Sequence, residues 1–399
     1  MFAALTCGVL RSFAIRLLLA TVFLVSVVLL DAGLRSPPSV QARASWPMPE
    51  ANFSGLPRML GRGHIPMPVD TPAAHSSTLL AMPGGHPDTL LAFWFAGTKE
   101  SAHDVGIAVS GFARATQQWR PSHIAVNRQA LGQQLGFGVR RLGNPVAWLD
   151  RQGRVHLFVV ATGLGGWAAS RIVQLRQSFD QNRTPALSEH AQVAIHFDVV
   201  RVLPLSWWWN ISHLVRTAPM PLQDGGMVLP VHFELGIKYP MALRFDAHGD
   251  FNGMVRLSTR THVLQPTLVA LDASNWLGLM RDQRPDGRVT VVRTQDGGQQ
   301  WRDLPDLALS NPDASTAAIA LAPGQLWLVF NSSVHSRQVL DLSHSVDGKA
   351  WQLTQRLAQG SGTDEYSYPA LAWADDSLWV SYTDQRKRIA WQRFAWPPR

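Results

Sequence analysis

Hydrophobic and polar residues alternate over short distances along most of this chain. From about residue 75 onward, apolar residues fall in short alternating or continuous runs that are interrupted by Gly, Asp and Asn. Runs of this kind predict β-strands joined by tight turns, and no long stretch of the region shows the spacing of an amphipathic helix. The pattern therefore predicts an all-β chain.

A single phrase recurs six times within this region. It consists of a small or proline residue, an apolar pair, a polar turn and an apolar strand, as in "LQPTLVALDASNWLGLM" and "YPALAWADDSLWVSY". The copies begin at residues 75, 143, 217, 264, 314 and 368, and each is followed by a further strand pair. Intervals of 47 to 74 residues are too irregular for a solenoid. Radial repetition of four-stranded units predicts a six-bladed β-propeller over residues 75–399, after a lead-in segment at 44–74.

Two turns of this region share a hydroxyl, an acid, a glycine and a tryptophan. The first is "TQDGGQQW" at Thr294–Trp301, and the second is the shorter "SVDGKAW" at Ser345–Trp351. Hydroxyl and carboxylate groups can bond nearby backbone N–H groups, glycine tolerates positive φ, and the tryptophan can cover the turn. The set has no nucleophile or metal-ligand pattern, so we interpret it as a structural hairpin clasp.

The first 43 residues have the arrangement of an export signal or signal anchor. Arg11 and Arg16 precede the apolar run Leu17–Leu30, and the small-residue sequence "VQA" would allow cleavage before Arg43. That site lies far from the apolar run, so an uncleaved anchor remains an alternative. We expect export, either to the periplasm, to the periplasmic face of the inner membrane or to the medium. The only cysteine, Cys7, precedes the run, so the exported part has no disulfide.

The charge balance favours an anionic partner. Lys and Arg number 36 against 28 Asp and Glu, which gives a net charge of +8 and a pI near 10.3. The longest basic run is "QRKR" at 385–388, and no helix-turn-helix or zinc-finger spacing accompanies it. We therefore expect acidic sugars or an anionic envelope rather than nucleic acid. No metal site is expected from the histidine spacing, nor any cofactor, and we expect a monomer that meets a membrane only through its N-terminal segment.

Several phrases resemble the sialidase-like, or neuraminidase-like, β-propellers, in particular the bacterial branch with degenerate Asp-box repeats. They are "WFAGTKESAHDVGI", "TGLGGWAASRI", "LQPTLVAL" with "LMRD", "SNPDAS", "SRQVLDLSHSVDGKAW" and "YSYPALAWADDSLWVSYTDQRKRI". The resemblance covers His75 to Phe394, and the two clasps correspond to the Asp boxes of that family.

The resemblance implies a glycosidase in which a tyrosine attacks the sugar. A sialic acid carries a carboxylate on its reacting carbon, which repels an anionic nucleophile, so a phenol replaces the usual carboxylate. In the family a glutamate acts as base toward the phenol, a second carboxyl protonates the leaving oxygen, and three arginines bind the sugar carboxylate.

By resemblance, the nucleophile and two arginines are present in this chain. Tyr368 in "SYPAL" matches the tyrosine, and Arg281 and Arg337 match two of the three arginines. The first arginine position aligns with His75 in "AHSST". As structural alternatives, Tyr368 stacks in the channel without reacting, the two arginines form salt bridges between blades, and His75 is a hydrogen-bonded structural residue.

The base and the acid that the resemblance implies are matched less completely than the tyrosine and the arginines. The position of the family's glutamate, 16 residues before Arg281 (281 − 265), holds Gln265, which cannot accept a proton as a carboxylate does. Glu100 and Asp104 in "TKESAHDVGI" are both candidates for the acid, and spacing does not choose between them. Glu234 and Glu365 are candidates to replace the missing base.

Three functions are consistent with these residues. The first is an exported sialidase-like glycoside hydrolase that acts on a terminal sialic acid or a related acidic sugar, and we favour it. The second is a glycan-binding propeller without turnover, and the third is a different carbohydrate-active enzyme, such as a uronate lyase that uses Tyr368 and His75. The tryptophans of "SWWWN" at 206–210 are interpreted as core packing rather than as a sugar platform.

Overall fold

The protein is described here by a computed structural model that covers residues 2–38, 40–48, 50, 53, 55–178, 195–208 and 210–396, with side chains from residue 12 onward. Its strands form six antiparallel sheets with four strand positions each. The prediction of an all-β, six-bladed propeller is confirmed. The helix α1 (Phe2–Leu34) precedes the sheets, and its residues 12–34 are long and apolar enough to cross a membrane.

The strand β1 and the first three blades follow α1 along the chain. The described strands of this part are β1 (Arg58–His64); β2 (Ala73–Ala81), β3 (Asp88–Gly97), β4 (Gly106–Ala113), β5 (Gln118–Trp119) and β6 (His123–Val126) of blade 1; β7 (Arg141–Leu149), β8 (Val155–Thr162), β9 (Ser170–Ser178) and β10 (His196–Val202) of blade 2; and β11 (His213–Val215), β12 (Met220–Pro221), β13 (Met227–Phe233), β14 (Tyr239–Phe245) and β15 (Phe251–Arg256) of blade 3. A helix α2 (Arg128–Leu135) links blades 1 and 2, and a 3₁₀ turn (Gly166–Ala169) precedes β9.

The last three blades have a more regular spacing. Their strands are β16 (Val263–Ala270), β17 (Trp276–Asp282), β18 (Thr290–Thr294) and β19 (Arg302–Leu304) of blade 4; β20 (Ala317–Ala322), β21 (Gln325–Phe330), β22 (Val339–Ser345) and β23 (Gln352–Gln359) of blade 5; and β24 (Tyr366–Ala374), β25 (Ser377–Asp384) and β26 (Arg388–Ala395) of blade 6. Strand β1 pairs with β26 and supplies the fourth strand of blade 6. It comes from the segment that we expected to lead into the propeller, so the first and last described strands share one blade.

The first strand of each blade lies at the centre of the ring. Strand β2 contacts both β7 and β24, and β20 contacts both β16 and β24. In blade 3 the central strand is split, because β11 and β12 both pair with β13. Hydrophobic clusters fill the spaces between neighbouring blades, for example between β13, β14 and β8 of blades 3 and 2.

Because successive strands of a blade run in opposite directions, the connections between strands fall at two different ends of the ring. At the mouth end, as we call it, the first strands begin, and here lie the connections between blades and between second and third strands of a blade. At the far end lie the connections between first and second and between third and fourth strands. Both clasp turns follow a third strand and therefore belong to the far end.

The clasp at the end of β18 is closed by its own polar groups. The Asp296 carboxylate accepts bonds from the backbone N–H of Gln299 at 2.9 Å and of Gln300 at 3.0 Å, while the Trp301 indole N–H donates to the Gly298 carbonyl at 3.1 Å. Gly298 has φ of 90°, and an added Cβ would lie 2.6 Å from the Trp276 ring. Glycine is therefore required at this position for both conformation and space.

Candidate active site

The central strands bend sharply where they begin, at the mouth end. Six non-glycine residues there have positive φ, and in four of the strands the pairing register shifts beside them. These residues, one from each blade, are Ser76 (56°), Asn144 (42°), Ser212 (60°), Gln265 (51°), Asp313 (51°) and Tyr368 (54°). Left-handed backbone at non-glycine residues is uncommon, and such strain concentrates at functional sites. Two of the six, Gln265 and Tyr368, are residues that the sequence singles out.

Tyr368 lies between an imidazole and a guanidinium. Its ring centroid is 4.1 Å from that of His75 and 4.9 Å from the Cζ atom of Arg216. A guanidinium over an aromatic ring is attracted by the electron-rich face of the ring. Burial, the larger effect, lowers the pKa of Arg216, and electrostatic interaction with Tyr368 in turn raises it.

Arg216 is a buried cation with no carboxylate partner among the described residues. Only 2% of the residue is exposed, and its Nη2 donates to the Pro369 carbonyl at 2.8 Å. Its Nε has no hydrogen-bond acceptor in the described structure. Burial lowers the pKa of Arg216 to about 10, so the group is still charged at neutral pH. A buried charge without a counter-charge is unfavourable unless an anion completes the site.

His75 is held in its neutral form. Its ring is buried between Tyr368 and Phe95, and neither ring nitrogen has a described hydrogen-bond partner. Burial, followed by the positive charge of Arg386, lowers the pKa of His75 well below its ordinary value. His75 therefore does not provide the positive charge of the arginine whose position it occupies. It packs against the tyrosine instead.

Arg281 joins Gln265 to the tyrosine. Its Nε lies 2.6 Å from the Asp313 carboxylate, and its Nη1 donates to the Gln265 side-chain oxygen at 3.2 Å. Burial would lower the pKa of Arg281, but the hydrogen bond to Asp313 and the nearby Tyr368 raise it. Gln265, which is buried, thus lies in the group around Tyr368 as an acceptor for Arg281.

A second group of charges is centred on Glu365, three residues before Tyr368. The Glu365 carboxylate accepts from Arg386 at 2.8 Å, from Arg337 at 3.1 Å and from the Ser367 hydroxyl at 2.6 Å. Although burial by itself would raise the pKa of Glu365, the bonds from Arg386 and Ser367 lower it to about 2. Glu365 is therefore ionised, and with that pKa it is a weak base. Arg386 also pairs with Glu100.

The remaining carboxylates have different surroundings. Asp104 accepts from the backbone and the hydroxyl of Thr98 at 2.9 and 3.0 Å, within its own turn. Glu234 lies 3.3 Å from the His232 ring. Burial would raise the pKa of Glu234, but the hydrogen bond from His232 and the charge of Arg281 lower it. Of the two candidate acids, Glu100 alone is bound into the network of Glu365 and Arg386.

Three residues of this site were missed by the sequence analysis, namely Arg216, Asp313 and Arg386. Arg216 directly precedes the third copy of the repeat, whereas Gln265 and Tyr368 lie within their copies, so its position in the repeat gave no signal. Arg386 lies within "TDQRKRI", which we used for the family resemblance and for its charge only. Its pairing with Glu100 joins blades 6 and 1 and is visible only in the folded chain.

The interpretation of "SWWWN" as core packing is wrong for the two tryptophans that the structure describes. Trp207 is 62% exposed and Trp208 is 49% exposed, in the connection between blades 2 and 3. Trp209 lies outside the described residues. Within the described part of the chain, no cluster of three or more His, Cys, Asp or Glu side chains could hold a metal ion.

Comparison with known proteins places this geometry in context. Residues 88–380, more than half of the chain, match a family model described as BNR repeat-like domain. No curated protein matches the sequence. Among solved structures, the Hadza microbial sialidase Hz136 is 17% identical with a TM-score of 0.63, over 82% of this chain and 66% of its own.

Two further sialidases share the fold. Trypanosoma rangeli sialidase in complex with 2,3-difluorosialic acid, described as a covalent intermediate, is 14% identical with a TM-score of 0.61, over 88% of this chain and 59% of its own. The NanB sialidase from Streptococcus pneumoniae is 11% identical with a TM-score of 0.56, over 86% of this chain and 71% of its own. At these identities the likeness shows the fold alone, and the chain spans less than two thirds of the first sialidases that it matches.

Proposed function

The chain belongs to the family described as BNR repeat-like domain, and on that basis we propose that it is an exported, sialidase-like glycoside hydrolase. Its substrate would be a terminal sialic acid or a related acidic sugar of a glycan. Tyr368 would be the nucleophile, and Arg281 and Arg337 would bind the sugar carboxylate. The sialidases of similar fold, one of them captured as a covalent intermediate, support this reading by analogy.

The observation that carries the proposal is the buried Arg216 against the face of Tyr368. A phenol attacks poorly while it holds its proton, and Gln265 cannot remove that proton as a carboxylate would. Arg216 has no carboxylate of its own in the described structure, and it lies 4.9 Å from the ring. In this proposal the Arg216 cation would compensate electrostatically for part of what the absent base contributes.

The arginines give the pocket its preference for an acid. Arg281 interacts with Tyr368 and Arg337 with Glu365 from different blades, and both arginines are largely buried, with side chains 12% and 19% exposed. The planar guanidinium forms paired hydrogen bonds with a carboxylate. In the absence of a sugar, Asp313 and Glu365 occupy these donors. An acidic sugar would take over bonds that the protein already makes to its own carboxylates.

The order of bond changes follows from these positions. The Tyr368 hydroxyl would lose its proton to solvent water as its oxygen forms a bond to the anomeric carbon, while the bond from that carbon to the leaving oxygen breaks. Glu100, the candidate acid that joins the charge network, would in its protonated form give the leaving oxygen a proton. The Glu100 carboxylate would then take a proton from a water whose oxygen attacks the anomeric carbon and displaces the Tyr368 oxygen, which regains a proton from solvent. Two displacements at the same carbon retain the anomeric configuration.

A second candidate is glycan binding without turnover. Gln265 favours it, because the amide leaves Tyr368 without a carboxylate base, and Glu365 is too weak a base to replace one. Under this alternative the arginines still bind the sugar carboxylate, and Tyr368 only stacks.

Product analysis separates these possibilities. The full chain and the variant Tyr368→Phe are incubated with a panel of sialosides and uronides, and released sugars are identified by mass. A free acidic sugar from the native chain, and none from Tyr368→Phe, supports the hydrolase. Binding without any product supports the second candidate, and an unsaturated sugar would show lyase chemistry and refute both.

A further inference from the structure

The last turns of α1 are attached to the mouth end of the propeller. The Asp31 carboxylate accepts from the Ser206 hydroxyl and from the backbone N–H of Trp207, both at 2.8 Å, and it pairs with Arg35 at 2.9 Å. Leu34 packs against the hydrophobic cluster between blades 2 and 3. The loop that carries Ser206 and Trp207 connects blades 2 and 3, and such connections lie at the mouth end.

The chain that follows α1 runs from the mouth end to the far end. The Ser36 carbonyl accepts from the Met254 N–H at 3.3 Å, midway along β15. Ala42 is buried and lies against Gly297 in the far-end clasp of blade 4, and Ala44 bridges to Leu222. Extended chain rises about 3.3 Å per residue, so these few residues are enough to pass along one blade. The attachment of α1 therefore lies at the mouth end.

The rest of α1 extends away from the propeller. Among its described side chains, 12–34, only Val27, Asp31 and Leu34 are partly buried. These three share one face over the last two turns, as their spacing requires. The apolar remainder has no partner within the described chain, and it is long enough to span a bilayer.

Exposed hydrophobic side chains gather at the same end. Among the described residues after α1, twelve large hydrophobic residues are exposed, and six of them lie in mouth-end connections. These six are Val69, Leu164, Trp207, Trp208, Ile237 and Val334. They come from five different connections, so they form a ring of separate contacts rather than one groove. Tryptophan next to the end of an apolar helix is typical of the membrane interface.

We propose that α1 stays in the membrane and that the mouth end of the propeller faces the bilayer surface. The site at the mouth would then act on acidic sugars carried by lipids of that same membrane. The substrate part of this inference rests on the proposed function, whereas the orientation does not. The net charge of +8 adds attraction to anionic lipid surfaces.

The orientation is tested with the full chain in lipid vesicles. In a Cys7→Ser background, a fluorophore is attached to a single new cysteine, either Ile237→Cys at the mouth end or Val346→Cys at the far end. Both side chains are more than half exposed, so neither substitution disturbs the core. Lipids brominated close to the headgroup should quench the label at 237 several-fold more strongly than the label at 346. Equal quenching, no quenching at 237, or stronger quenching at 346 would overturn the orientation.

The tryptophan contacts are tested separately. The double variant Trp207→Ser with Trp208→Ser should lower the quenching at 237 toward that at 346. Leu353→Ser serves as the matched control, because Leu353 is also exposed but lies on blade 5, across the ring from the loop of the tryptophans. An unchanged difference between 237 and 346 in the double variant would show that the tryptophans do not hold the mouth at the surface.

The substrate part is tested by presenting one acidic sugar in two forms. The sugar is offered to the vesicle-bound chain either on a lipid of the same vesicle or free in solution. We expect at least a tenfold preference for the lipid-borne form. If the free sugar is used equally well, the substrate inference fails while the proposed function stands. If neither form is bound but the label at 237 is quenched, the proposed function fails and the orientation stands.

Discussion

The charge network beside Tyr368 should make stability depend on pH through one carboxylate. Glu365 has a pKa of about 2 in the folded protein, against an ordinary value of 4.5. Because the folded pKa is depressed, the stabilisation is fully present above about 4.5 and is lost as the pH falls toward 2. The difference corresponds to about 3 kcal/mol. The side chain is only 21% exposed, so solvent screening is limited.

The variant Glu365→Gln isolates this contribution. Urea unfolding of the full chain in detergent micelles, followed by tryptophan fluorescence, gives the free energy of unfolding at each pH. Near pH 7 the variant should be less stable than the native protein by about 3 kcal/mol, and the two should converge near pH 2. Asp286→Asn is the control, because the side chain of Asp286 is 70% exposed and pairs only with an exposed histidine. A constant difference between native and Glu365→Gln at every pH would refute the reasoning.

Three further substitutions test other parts of the structure. Trp301→Ala should lower the free energy of unfolding by about 2–4 kcal/mol and leave activity per folded molecule unchanged. We expect the same two effects from Trp351→Ala. A fully stable but inactive variant would contradict the interpretation of the clasp as structural. Arg281→Ala should weaken the binding of an acidic sugar, measured by calorimetry, by about 1.5–3 kcal/mol and hardly affect the binding of its carboxyl-reduced analogue. Equal losses of binding free energy for the two sugars would exclude the ion pair. Gln265→Glu should raise turnover in a rate assay by restoring a base to Tyr368. Unchanged turnover in this variant would favour binding without catalysis.

The fold could be predicted because its repeats are local in sequence. Each blade consists of neighbouring strands and short turns, so six copies of one phrase were enough to predict the ring. The exception is β1, which pairs with β26 across more than 300 residues of sequence. Pairing over that distance leaves no local pattern. The split of the central strand of blade 3 into β11 and β12 was not predicted either.

The site was predicted only in part. Tyr368 and Gln265 lie at the start of copies of the repeat, Arg281 was matched by the family resemblance, and the structure brings the three together. Arg216, whose guanidinium lies over the ring of Tyr368, was not predicted, because its role depends on burial and single-sequence patterns do not report burial. The two candidate acids show the same limit, since spacing could not reveal that Asp104 bonds within its own turn while Glu100 reaches across to another blade.

The tryptophans at 207 and 208 show how local sequence misleads. Consecutive large aromatic residues suggest a packed core, because most such side chains are buried. Here Asp31 from α1 accepts from the Ser206 hydroxyl and the Trp207 backbone N–H, and the two rings remain exposed. Their surroundings depend on a contact across about 175 residues of chain.

The most direct test of the central claim is whether Tyr368 forms a covalent bond to an acidic sugar. The full chain is incubated with 2,3-difluorosialic acid, the compound present in the Trypanosoma rangeli sialidase complex, and then digested and analysed by mass spectrometry. We expect one sugar adduct, on the peptide that contains Tyr368, and none in the variant Tyr368→Phe. An adduct on another residue, or no adduct under conditions in which the native chain releases sialic acid, would contradict Tyr368 as the nucleophile.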